Sequence, residues 1–133
     1  MKTRSGFVSN SSTSSFAVPL SLMTADQIAK AKDYHTVAKT MLRKEKPNKK
    51  YPYNTGYYYW LDENGQVPVL EDEDGPLPAP GTYLDQSWHV WEEGKFLVGS
   101  TYIDNFDFEA FLIRLGVPRD AIKMDSEERF PKP

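Results

Sequence analysis

The chain has 133 residues, which fits one domain of ordinary size with a single hydrophobic core. It contains no cysteine, and this excludes a disulfide framework, thiol catalysis and zinc sites built on thiolates. The formal net charge is only -3, but basic residues concentrate between positions 30 and 50, and the stretch from 51 to 94 has no Lys or Arg and many Asp and Glu. No apolar run approaches the roughly 20 residues that span a bilayer, so we expect no membrane segment.

Residues 1–18 are predicted to form an extended arm that precedes a single domain. The first four residues include the basic Lys2 and Arg4, as at the start of a signal peptide, but a serine-rich tract follows where an apolar segment is needed. We therefore expect a protein that is not secreted by that route and resides in the cytoplasm of the producing cell. Phe7, Val8 and Phe16 flank the tract and are predicted to contact a partner, and residues 16–18 have the composition to add an edge strand.

The first predicted helix begins at Thr24. Thr24 is a good N-cap residue and Gln27 follows three positions later, which is the pattern of a capping box. Apolar residues then recur at helical spacing as far as Leu42, and Pro47 is expected to end the helix.

Two β-hairpins are predicted in the middle of the chain. In the first, the aromatic strand Tyr57–Leu61 turns at Asn64-Gly65, and residues 66–70 return beside it. A stiff Pro-rich surface loop follows. In the second, residues 86–92 and 95–102 alternate in hydropathy around a turn at Glu93-Gly94.

The last predicted helix covers residues 106–115 and is ended by Gly116. Two hairpins and two helices favour an α+β fold, with an antiparallel sheet of about four strands and the two main helices on one face. The single domain is assigned to residues 19–133. Polar and acidic residues surround the start of the last helix, with Asp104 or Asn105 expected as the cap and Asp107 and Glu109 in the first turn.

No catalytic or metal-binding motif emerges from the residue pattern, and no cofactor is expected. His35 has no carboxylate or histidine at the spacing of a helical metal pair. His89 is predicted to point away from the side of the strand that carries Trp88, toward solvent or toward a partner across the sheet. The acidic run Glu71–Asp74 lacks the ligand spacing of a calcium loop. We therefore predict a protein that is not an enzyme, while catalysis by His89 with a carboxylate stays open.

The central aromatic residues are better suited to protein contacts than to nucleic acid. Basic residues beside aromatic ones are used in single-strand binding, but the acidic residues of the same region would repel phosphates. Exposed Tyr and Trp are common at protein interfaces. Tyr57, Tyr59 and Trp60 are therefore predicted to bind a protein partner, and self-association stays open.

The N-terminal sequence resembles a signature of small uncharacterised phage and bacterial proteins. The residues that carry it run from Arg4-Ser5-Gly6-Phe7-Val8-Ser9-Asn10 through a serine-rich run to Phe16, and Thr13 is the one departure within that run. Residues 99–108 also resemble a segment near the C-terminus of some of these proteins. The resemblance brings no established activity and no functional residues.

The residue pattern and this resemblance together predict a phage-related protein that acts by protein–protein contacts, as a small structural or accessory component of a virion. The alternative is a phage-encoded inhibitor of a host protein, whose acidic segment from Asp62 to Glu93 mimics the charge of nucleic acid.

Overall fold

The computed structural model describes residues 13–44 and 57–126. These residues form a mixed α+β fold with antiparallel sheets, which confirms the predicted fold class. The strands are β1 (Ser14–Pro19), β2 (Leu42–Lys44), β3 (Tyr57–Trp60), β4 (Val69–Asp72), β5 (Gly75–Pro78), β6 (Thr82–Tyr83), β7 (His89–Glu93), β8 (Phe96–Thr101) and β9 (Lys123–Ser126), and the helices are α1 (Ala25–Lys32), α2 (Tyr34–Lys39) and α3 (Phe108–Arg114).

The largest sheet has four strands in the order β7-β8-β1-β9. Strand β1 is therefore an interior strand, not the edge strand expected from the sequence, and it pairs antiparallel with both β8 and β9. The expected boundary between arm and domain, at residue 18, falls inside β1. Phe16 and Val18 are 2% and 0% exposed because β1 contributes to the core. The remainder of the predicted arm, residues 1–12, lies outside the described residues.

One face of this sheet packs against the helices. Phe16 lies opposite Gly99 on β8, and its ring stacks on Phe108 of α3 with a centroid distance of 4.6 Å. The ring of Trp88 lies 5.6 Å from Phe16 and 5.2 Å from Phe108, so aromatic side chains from three segments meet at this point. Trp88 Nε1 donates to the Phe106 carbonyl at 3.1 Å, which satisfies its buried polar atom.

The opposite face of the sheet is partly open. Cross-strand partners share a face, so Trp91 on β7, Val98 on β8 and Ala17 on β1 lie in one row. The side chains of Val98 and Ala17 are half-buried, and Trp91 is 41% exposed. On the other face, α3 packs through Phe108, and Lys32 of α1 forms an ion pair with Glu92 of β7, so these two helices lie on one side of the sheet, as predicted.

The predicted capping box is confirmed, but the predicted continuous helix is wrong. Thr24 Oγ1 accepts from the Gln27 amide at 3.1 Å, and Gln27 Oε1 accepts from the Thr24 amide at 2.9 Å. The helix breaks at Asp33, whose φ of -105° and ψ of 39° are not helical. The break turns Tyr34 into the core, where its hydroxyl donates to the Asp85 carbonyl and accepts from the Trp88 amide.

The segment after α2 is a strand where the sequence predicted helix. Leu42 is buried, and β2 pairs with β3 in a three-stranded sheet of order β2-β3-β6. The expected helix end at Pro47 lies outside the described residues.

The first predicted hairpin is wrong in its strand pairing. A tight turn does form at Asn64-Gly65, where Gly65 has a φ of 75° and the Asp62 carboxylate accepts from the Asn64 and Gln66 amides. The chain after the turn does not return to β3, because β2 and β6 already pair with β3 on its two sides. Instead, β4 pairs with β5, which occupies part of the expected stiff loop.

The second hairpin and the last helix are confirmed. Strands β7 and β8 pair around a turn in which Gly94 has a φ of 60°, and Gly116, with a φ of 101°, follows the end of α3. The cap differs from the two residues expected, since the Asp107 carboxylate accepts from the Ala110 amide at 3.0 Å. Asp104 instead accepts from the Ser14 hydroxyl at 2.6 Å, which joins this loop to β1.

Candidate protein-binding surfaces

The structure does not bring the predicted partner-binding residues together on one surface. Phe7 and Val8 lie outside the described residues. Phe16 and Trp60 are 2% and 3% exposed, so both belong to the core and are not available to a partner. Tyr57 and Tyr59 are half-buried on the same face of β3.

Three tyrosines form a tyrosine face on the three-stranded sheet β2-β3-β6: Tyr57, Tyr59 and Tyr83. The ring of Tyr57 contacts those of Tyr59 and Tyr83 edge-on, at centroid distances of 5.4 and 5.3 Å. The Tyr57 hydroxyl accepts from the Gly81 amide at 2.8 Å, which fixes the ring. Tyr83 is 39% exposed, whereas Tyr57 and Tyr59 are more covered. Consecutive residues of β3 point to opposite faces, so Tyr58 and Trp60 point to the core side while Tyr57 and Tyr59 lie on the tyrosine face.

Trp60 has a structural role with an arginine above it. The guanidinium carbon of Arg114 lies 4.5 Å from the centroid of the indole ring, a cation–π geometry. Burial lowers the pKa of Arg114 below its usual value, an effect that nearby Asp107 partly opposes. Trp60 Nε1 is buried and has no hydrogen-bond partner among the described residues. Arg114 and the surrounding core therefore cover the indole ring, so Trp60 is not accessible to a partner protein.

The most exposed apolar side chains in the middle of the chain lie on the β4–β5 hairpin. We call it the acidic hairpin and define it as residues 69–78. Val69, Leu70 and Leu77 are 62%, 51% and 46% exposed. Strands β4 and β5 pair only with each other within residues 13–44 and 57–126. An isolated two-stranded hairpin is marginally stable in water, so three exposed apolar side chains on it are a surface to be covered.

The acidic hairpin also carries a concentrated negative charge. Glu71 and Glu73 are exposed, as is Asp74 in the turn. An open concavity of the hairpin is lined by Leu70, Leu77 and the two glutamates. The sequence predicted the acidic surface but not the strands. The signal that could have found them is Asp74-Gly75 between short segments with apolar residues, a common hairpin turn, and Gly75 has a φ of 111°.

The two histidines lie on different elements, His35 on α2 and His89 on β7. His89 is exposed on the open face of the large sheet, directly opposite Ser100, which confirms its predicted orientation. His35 Nδ1 lies 3.3 Å from Gln86 Nε2. In the described ranges no group of three or more His, Asp or Glu side chains is arranged to hold a metal ion.

No helix within residues 13–44 and 57–126 is long and apolar enough to cross a membrane. Comparisons of the chain with models of protein families, with curated proteins and with solved structures find no match.

Proposed function

We propose that this chain acts by binding another protein through the acidic hairpin, without catalysing a reaction. The observation that carries the proposal is the exposure of Val69, Leu70 and Leu77 on a hairpin that pairs with no other strand of the described chain. Apolar side chains at this exposure are covered by water in the free protein, and their transfer into an interface contributes about 25 cal/mol per Å² of apolar area.

The N-terminal signature supports a more specific form of the proposal. The pattern from Arg4 to Phe16 resembles a signature of small phage and bacterial proteins, and on this resemblance we extend the proposal to a small structural or accessory component of a virion. In this form the acidic hairpin contacts a neighbouring subunit, while β1 anchors the N-terminal region to the domain.

A substitution in the hairpin tests the proposal against a matched control. Leu70→Ser should remove the chain from purified particles, or from any stable complex in fractionated source cells, as measured by size separation and mass spectrometry. Leu22→Ser is the control, because Leu22 is 54% exposed on a turn after β1 and thus resembles Leu70 in exposure. Equal recovery of both variants in the complex would contradict a role for the hairpin.

The acidic charge supports a second candidate, an inhibitor of a basic host protein. Glu63, Glu71 and Glu73 are exposed, and Lys and Arg are missing between residues 51 and 94. Binding by this route should weaken steeply with salt, since screening acts on exposed charges over about 10 Å at 0.1 M. Reversal of the charges at Glu71 and Glu73 should abolish it, whereas virion incorporation that depends mainly on the apolar contacts should be weakened but not abolished.

A further inference from the structure

The two edges of the acidic hairpin differ in their capacity to form hydrogen bonds. In an antiparallel pair, successive residues direct their backbone N–H and C=O groups alternately toward the partner strand and away from it. The Ala79 amide donates to the Pro68 carbonyl at 2.8 Å, which fixes this alternation for the whole ladder. Two positions further along, Leu70 and Leu77 face each other and direct their groups inward. The residues between these pairs therefore direct their backbone groups outward.

On β5 the outward-directed residues are Pro76 and Pro78. Proline has no N–H, so this edge cannot donate to an added strand. On β4 the outward-directed residues are Val69 and Glu71, which lie opposite these prolines and keep both N–H and C=O. No second strand of the described part of the chain pairs with β4 on this side. Strand addition is therefore blocked on one edge of the hairpin and permitted on the other.

The side chains beside the open edge define the chemistry of a complementary strand. Glu71 and Val69 lie on one face of the hairpin, and Leu70 lies on the other face beside Leu77. A strand whose apolar side chains align with Leu70 and Leu77 would place its remaining side chains next to Glu71 and the acidic turn at Glu73. Those remaining side chains would gain from being basic, because the nearby exposed charges are negative.

We propose that the outward edge of β4 accepts an extended strand of a partner protein in which apolar and basic side chains alternate. This inference rests on the proposed function, and it adds the way in which the hairpin binds. Main-chain hydrogen bonds would supply affinity, and the alternation of side chains would supply specificity.

The experiment uses the full chain and a fluorescent probe peptide in which valine and lysine alternate over about eight residues. Binding is followed by fluorescence anisotropy, and amide hydrogen exchange is followed by NMR. The amides of Val69 and Glu71 should exchange at least about tenfold more slowly with saturating peptide, whereas the inward amide of Leu70 should change little. A block peptide, with its valines followed by its lysines, carries the same charge and should bind at least about tenfold more weakly.

Two substitutions of Glu71 distinguish the contribution of its backbone N–H to binding from that of its side-chain charge. Glu71→Pro removes an outward N–H without removing an inward bond of the hairpin, and it should weaken binding of the alternating peptide at least about tenfold. Glu71→Gln keeps the N–H and should weaken binding by less than about fivefold, the range of one exposed ion pair. The exchange measurement on the unaltered chain keeps the test valid if the proline variant disturbs the hairpin.

Three results would overturn strand addition. The first is equal binding of Glu71→Pro and the unaltered chain, and the second is equal binding of the block and alternating peptides. The third is a dimer of the free protein in which the amides of Val69 and Glu71 are already protected, since a second copy would then occupy the edge. If Leu70→Ser abolishes partner association while Glu71→Pro does not, the proposed function stands and strand addition fails.

Discussion

Substitution of Gly99 by alanine should destabilise the fold through a single contact. Gly99 is buried on β8, directly opposite Phe16, and a Cβ atom at this position would lie 2.3 Å from Phe16 Cε2 and 2.7 Å from Cζ. Carbon atoms in contact prefer about 3.5–4.0 Å, so the ring would have to move by more than about 1 Å. The stacked ring of Phe108 and the nearby ring of Trp88 restrict that movement.

The size of the effect follows from the restricted ring. Overpacking of a well-packed core costs about 1–3 kcal/mol, and we expect Gly99→Ala to reach about 2–3 kcal/mol because backbone pairing on both sides holds β8 in place. For a chain of this length such a loss lowers Tm by roughly 6–15 °C. Urea unfolding followed by tryptophan fluorescence measures it, since Trp60 and Trp88 are both buried.

Ser100→Ala is the control for Gly99→Ala, because Ser100 is the next residue on β8 and points to the open face. It should change the free energy of unfolding by less than about 0.5 kcal/mol. The double variant Phe16→Leu with Gly99→Ala should be more stable than the sum of the single effects predicts, by about 0.5–3 kcal/mol. Additive single effects, or a loss from Gly99→Ala no larger than that from Ser100→Ala, would refute the reasoning.

Substitutions at three other positions test a core contact, a helix cap and a turn. Burial raises the pKa of Tyr34 to about 12, so the folded protein keeps a proton that the unfolded chain loses near pH 10. The free energy of unfolding should therefore fall between about pH 10 and 12. Tyr34→Phe should lack this part of the fall when the two proteins are compared by urea titration. At neutral pH the same variant should lose about 1–3 kcal/mol, because the Trp88 amide loses its acceptor. Gln27→Ala should lose about 1–2 kcal/mol in the same assay, more than an exposed cap, because Gln27 Nε2 also donates to the Leu115 carbonyl at 3.0 Å. Gly94→Ala should lose about 1 kcal/mol through its φ of 60° despite open space around it, and Gly94→Asn should lose less.

The features predicted correctly from the sequence are those fixed by neighbouring residues. The capping box needs only Thr24 and Gln27, and the β7–β8 turn needs only Gly94 between two alternating segments. Gly116 adopts a positive φ after α3, and this residue predicted the end of the helix. Each of these signals operates over about four residues, so distant parts of the chain do not alter it.

The features predicted incorrectly depend on distant residues. The turn at Asn64-Gly65 forms as its sequence indicates, but the pairing of β3 is decided by residues 42–44 and 82–83 on either side of it. The break at Asp33 likewise accompanies the hydrogen bonds that Tyr34 forms with residues 85 and 88, about 50 positions away. The helical periodicity of the sequence does not reveal these contacts.

For the candidate binding residues, too, neighbouring residues determine some features and distant residues determine others. Alternation along β3 explains why Trp60 is buried while Tyr59 is half-exposed, but the side that faces the core is known only once the neighbouring strands are known. Phe16 was expected to contact a partner because it follows a serine-rich tract. Its burial depends on Gly99 and Phe108, which lie far along the chain.

The interior position of β1 has a consequence for the time at which the protein can fold. Ser14 pairs with Thr101 on one side and Ser126 on the other, so completion of the large sheet joins segments about 90 and about 110 residues apart. During synthesis at about 5–20 residues per second, β1 therefore waits on the order of ten seconds for its neighbours. Over that interval Phe16 and Val18 have no core to enter. The chain is thus prone to misassociate while it is being made, and the large sheet is complete only when β9 is available.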